Sequence, residues 1–159
     1  MSNSVSNVSV YLAIADEAFA EAQRLDDAAR SPKPDGSPGS IIAYDPSRGS
    51  FKQSLIALTF SGIYLEALLY LKGTQRMGAR WLREMDNESY ENKLAELDIT
   101  EPSFLASAKR LRNARRDVVH EKAVPVAELR PSELRWAQEE AAAAVRFVHA
   151  VAGAIENAP

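Results

Sequence analysis

Leu111-Arg112-Asn113-Ala114-Arg115-Arg116-Asp117-Val118-Val119-His120 is the stretch on which the reading of this chain turns. At about 100° per residue, Phe104, Ala108, Leu111, Arg115 and Val118 fall on one face, so the segment reads as an amphipathic helix with an arginine on its apolar stripe. A guanidinium on such a stripe needs a partner, and Glu66, in an apolar helix upstream, is the natural candidate. Lys109, Arg112, Arg116 and His120 fall on a different, polar face, the last three at i, i+4 and i+8. Lys109, Arg110, Arg112, Arg115 and Arg116 put five cations into eight residues. Such a patch can meet phosphates even on a chain whose net charge is −3.

Working outward, four main helices are expected. The first covers about 4–29, with Val8, Tyr11, Leu12, Ala15, Phe19, Ala22 and Leu25 on one stripe. Between 31 and 40 stand three prolines, two glycines and three serines, so 31–49 reads as a flexible loop. The second helix is expected from Ser50, with Ser50 and Gln53 as a capping box, to Lys72, with Gly73 as its stop. It is apolar on two faces: Leu55, Leu58, Gly62, Leu65 and Leu69 on one, and Ile56, Phe60, Ile63, Ala67 and Tyr70 on the other. It therefore asks to be buried on two sides, the second a candidate subunit interface. Short helices fit 79–85 and 89–97. The third main helix begins after Thr100, with Pro102 in its first turn, and ends before Pro125. The fourth runs from Pro131 to about Ile155, with Leu134, Ala137, Ala141, Ala144, Val145 and Val148 inward. No segment alternates long enough to read as a strand.

The length of 159 residues suits one domain, 1–159, able to build a sizeable core. There is no cysteine, which excludes disulfides, thiolate metal sites and a thiol nucleophile. Neither an H-E-x-x-H motif nor a glycine-rich phosphate loop occurs, so no metal site and no cofactor are expected. The N-terminus lacks the pattern of a signal peptide, and 55–71 is interrupted by Thr59, Ser61, Gly62 and Glu66, so no membrane span and a cytoplasmic location are expected.

Arg115, four intervening residues and His120 resemble the R-x(4–6)-H signature of HEPN domains. In that family the motif lies late in the third core helix of a four-helix up-and-down bundle, and 58–69 with Glu66 resembles the family's apolar helix bearing an inward acidic residue. The resemblance covers about 51–152 and implies an all-α, HEPN-like four-helix up-and-down bundle, with a short helical insertion between core helices 2 and 3. It further implies a homodimer whose composite cleft cuts RNA without metal, in defence, stress response or a toxin–antitoxin pair. Arg115 and His120 would then be catalytic, Lys109, Arg112 and Arg116 would bind substrate, and Glu66, Asn113 and Asp117 would support them. One departure stands out: Arg116 occupies the position after the motif arginine, where Asn, Asp or His is common. Within one helix, Arg115 and His120 converge only if the helix ends or distorts near Val118; otherwise a two-fold partner must bring them together.

Other readings compete. HEPN-like bundles also serve as non-catalytic dimerisation or partner-binding modules, here for an antitoxin or a neighbouring-gene product. A nucleotide-binding module is a third reading. Lys109, Arg110 and Arg112 can be a solvated face paired with Asp117 and Glu121. His120 can simply end a helix against its dipole. Trp81 and Trp136 read as packing residues, and His149 as surface or interface.

Overall fold

The structure, a computed structural model, describes residues 7–43, 45–120 and 131–156, and the side chains of all of these except 119–120 and 131–134. It is all-α apart from one small hairpin. The element order is α1 (Val8–Ala28), β1 (Arg30–Pro32), β2 (Ser40–Ile42), α2 (Gly49–Met77), α3 (Ala79–Glu84), α4 (Tyr90–Glu96), α5 (Pro102–His120) and α6 (Pro131–Glu156). The central helix is α2, which packs against α1, α3, α4, α5 and α6.

Small side chains set the closest packing. Ala15, Ala18 and Ala22 of α1, Ser54, Ala57 and Ser61 of α2, and Ala137, Ala141 and Ala144 of α6 are all buried. Residues this short let backbones approach without leaving voids. A second, larger cluster joins Leu58, Leu65 and Leu69 of α2 to Trp81, Leu94, Leu111, Val148 and Val151. Three polar bonds tie the near ends of α1, α2 and α6: the Ser50 hydroxyl donates to the Ala22 carbonyl at 3.1 Å, and the Gln138 amide donates to Ser50 Oγ at 2.8 Å and to Asp26 at 3.1 Å.

Several expectations need correction. The segment 31–49 is not a plain loop, because β1 and β2 pair antiparallel, Arg30 opposite Ile42 and Pro32 opposite Ser40. The missed signal is short, three residues per strand, and all six are exposed. Ser50 does not cap α2. The Asp45 carboxylate does so from outside, accepting from the Gly49 N–H at 2.7 Å and the Ser47 N–H at 2.8 Å, while Arg48 takes a left-handed φ of 54°. Gly73 does not stop α2 either; the helix runs on to Met77, and Gly78 ends it at φ 58°. Gly73 instead provides the seat for Trp81, whose ring atoms lie 2.1–2.3 Å from where a Cβ would stand.

The two-sided burial of α2 is also redistributed. Its most buried arc combines Leu58, Leu65 and Leu69 with Ala57, Ser61 and Leu68. The stripe Ile56, Phe60, Ile63, Ala67 and Tyr70 stays outermost: Ile56 is 38% and Tyr70 48% exposed, with the other three half-buried. Against expectation, α2 is long and apolar enough to cross a membrane, because Ser61 and Gly62 are small interruptions in a helix longer than expected. Half of that window is buried inside the protein.

Candidate functional site

Ser103 to Val118 follow the expected amphipathicity. Ala108, Leu111 and Ala114 are buried, Phe104 lies with its ring centroid 6.5 Å from that of Phe147, and Lys109, Arg110, Arg116 and Asp117 are exposed. The helix does not end at Val118 but continues to His120. At 3.6 residues per turn, positions 115 and 120 therefore lie about 140° apart around α5. The His120 side chain lies outside the described residues, as do 121–130.

Arg115 crosses α2 at Gly62. A Cβ at position 62 would stand 1.9 Å from Arg115 Cδ and 2.5 Å from Nε, so only glycine leaves room for the stem. The guanidinium then donates through Nη1 to the Tyr90 hydroxyl, and through the same nitrogen to Glu66 at 3.4 Å. The expected Glu66 pairing is thus present but long, and Glu66 is not inward: its side chain is 55% exposed against 25% for Arg115. Tyr90 is the closer partner. Burial pushes its phenol pKa up, against the lowering pull of the Arg115 charge, so the hydroxyl keeps its proton and accepts from the guanidinium as a neutral group.

The rest of the cluster is largely engaged. Arg112 donates to Glu91 at 3.0 Å. Arg110 forms a bidentate pair with Glu140 at 2.8 and 2.9 Å, which raises its already high pKa through the hydrogen bond first. These partners sit on α4 and α6; Asp117 is not one of them, and Glu121 lies outside the described residues. Arg116 and Asp117 approach only to 3.7 Å, and both are exposed. Asn113 is half-buried, and Lys109 extends into solvent. Among the predicted site residues the structure therefore joins Arg115 with Glu66, and places Lys109, Arg112 and Arg116 along one side of α5.

Sequence reasoning missed three participants: Gly62, Tyr90 and Glu91. Gly62 carried a signal, since a glycine inside a helix costs about 1 kcal/mol relative to alanine and so marks a place where space is needed. Tyr90 and Glu91 carried none, because their role depends on where α4 docks. Trp81 and Trp136 pack as expected, Trp81 fully buried and Trp136 against the larger core cluster. His149 is exposed and meets Asp16 of α1 at 2.8 Å. Among the described residues no group of three or more His, Asp or Glu side chains is placed to hold a metal ion.

Comparison with family models, curated proteins and solved structures returned no match. The fold and site define an all-α chain with an arginine-rich helix edge.

Proposed function

We propose that this chain is a metal-independent endoribonuclease of HEPN type, working in the cytoplasm as a homodimer. In this reading α1, α2, α5 and α6 form a four-helix up-and-down bundle, with α3 and α4 as the insertion. The observation that carries it is the seating of Arg115: across Gly62, held by Tyr90, on a helix that runs unbroken to His120. Positions 115 and 120 lie about 140° apart around that helix, which favours a cleft completed by a second copy. The outer stripe of α2 from Ile56 to Tyr70 borders Glu66 and supplies an apolar surface for it.

The reaction needs no metal. The ribose 2′-hydroxyl attacks its own phosphorus, the bond to the 5′-oxygen breaks, and a 2′,3′-cyclic phosphate and a 5′-hydroxyl result. A base must take the 2′-proton and an acid must give one to the leaving oxygen. Histidine titrates near pH 6.5 and suits both tasks, supplied by the two copies of His120. Arg112, Arg115 and Arg116 would balance the charge on the phosphorane oxygens, with Lys109 along the strand and Asn113 and Asp117 in support. The test is RNA cleavage in the presence of chelator, with cyclic-phosphate ends as the product. Loss of cleavage in His120→Ala and Arg115→Ala supports the reading; equal products from wild type and His120→Ala refute it.

A second reading is a non-catalytic interaction module, recruiting an antitoxin, a neighbouring-gene product or a nucleotide. It is favoured by the internal pairing of Arg110, Arg112 and Arg115, which leaves fewer cations for phosphate. A stable complex unaffected by His120→Ala, in a protein that cuts nothing, would decide for it.

A further inference from the structure

Two neighbouring residues at the start of α4 take hold of two arginines one turn apart on α5. Tyr90 receives Arg115 and Glu91 receives Arg112. The turn that carries them is firmly placed. Ser89 caps it, accepting from the Asn92 N–H at 3.2 Å. Leu94 is fully buried, and the buried Lys93 donates to the Asp86 carbonyl at 2.9 Å. Tyr90 itself is only 7% exposed. The two grips nevertheless differ in kind. Tyr90 is neutral and adds no opposing charge to Arg115, and the anionic neighbour Glu66 is exposed and stands off at 3.4 Å. Both described bonds of Arg115 use Nη1, so among the described residues Nη2 and Nε keep their N–H groups for another acceptor. Glu91 is an anion, and its carboxylate occupies Arg112 as a phosphate would. The Arg112 side chain is 41% exposed, so an incoming anion can reach it.

We propose that the first turn of α4 is a built-in clamp on the basic edge of α5: Tyr90 is a positioning residue that aims Arg115, and Glu91 is an internal competitor that a phosphodiester must displace from Arg112. The ligand class is single-stranded RNA. The inference rests on reading this edge as a phosphate site, and it adds that the site's affinity is set by an element outside α5. The acidic partner keeps Arg112 ordered and poised while suppressing attachment to any passing anion. Exchanging Glu91 for a phosphate leaves Arg112 with the same number of charge-assisted bonds, and it releases a carboxylate into water.

The experiment is binding of a fluorescent single-stranded RNA oligonucleotide to the full chain, by anisotropy, with chelator and over a series of salt concentrations. Glu91→Gln removes the competitor's charge and keeps its size. It should bind about fivefold tighter at low salt, the scale of a half-exposed ion pair. The slope of log affinity against log salt should steepen by up to about 0.7, the share of one phosphate charge on a single strand, because no displaced carboxylate then takes up a counterion in the complex. The gain should vanish in Glu91→Gln/Arg112→Ala. Glu96→Gln, an equal charge change at an exposed site on the same helix, should gain less than twofold. Tyr90→Phe should melt about 4–8 °C lower and also lose about 0.7 of the salt slope, as Arg115 is released; a merely structural role would lower the melting temperature without moving that slope.

Unchanged affinity in Glu91→Gln, an equal gain in Glu96→Gln, or a gain that survives Arg112→Ala would each overturn the clamp. So would a failure of both wild type and Glu91→Gln to bind. The ribonuclease reading is judged separately. Cleavage with unchanged binding in Glu91→Gln sinks the clamp alone, whereas tighter binding without cleavage sinks the ribonuclease alone.

Discussion

Replacing Gly62 by alanine separates what a helix wants from what this site needs. In a helix interior alanine is favoured over glycine by about 1 kcal/mol. At position 62 the new methyl would stand 1.9 Å from Arg115 Cδ, so the arginine must leave. Its departure breaks the bond to Tyr90, a charge-assisted contact at a half-buried place worth about 2 kcal/mol, whereas the long contact to the exposed Glu66 adds little. The two effects oppose, and Gly62→Ala should destabilise the protein by about 1 kcal/mol. With Arg115→Ala as background the clash is gone, and the same substitution should stabilise by about 1 kcal/mol. The coupling in this double-mutant cycle is then about 2 kcal/mol, and the sign reverses between backgrounds. Urea denaturation reads it directly: at a slope near 2 kcal/mol per molar, the midpoint moves down by about 0.5 M in one background and up by about 0.5 M in the other. If Gly62→Ala stabilises both backgrounds alike, Arg115 does not lie across Gly62, and the seating on which the site rests is wrong.

Three further outcomes follow from the packing. Gly73→Ala forces a methyl into the buried Trp81 ring and should cost about 1–3 kcal/mol by the same denaturation assay, the helix-propensity gain notwithstanding. Ser61→Ala removes a buried hydroxyl that has no hydrogen-bond partner among the described residues; it should leave stability unchanged or raise it by up to about 1 kcal/mol, and a marked loss would reveal an unseen partner. The Asp45 carboxylate is held below the usual range by the Ser47 hydroxyl and then by the Gly49 and Ser47 N–H groups. Its folded pKa thus lies below its unfolded one, so its contribution is complete above the unfolded value near 4 and fades as pH falls through the folded value. Asp45→Ala should therefore lower the urea midpoint at pH 7, and the deficit should shrink at pH 3.

Local chemistry determined much of this protein from the sequence alone. Apolar spacing of 3.6 and the prolines that open α5 and α6 placed six helices among the described residues, each end within about five positions, because amphipathic periodicity is a property of neighbours along the chain. The same periodicity put Arg115 on an apolar face and Arg112 and Arg116 on an exposed edge. Where long-range contacts decided, local signals misled. Gly73 has the look of a helix stop yet makes room for a tryptophan, and Ser50 has the look of a cap yet donates to the Ala22 carbonyl across the α1–α2 contact. Which face of α2 stays outermost was settled by the small residues Ala18 and Ala141, which let α1 and α6 close onto Ala57. Above all, the partners of the arginines were a tertiary matter. Tyr90 and Glu91 lie more than twenty residues from the side chains they hold. No periodicity connects them, because what brings them together is the docking of α4 against α5. The sequence carried the charges; the packing decided which of them remain open to a ligand.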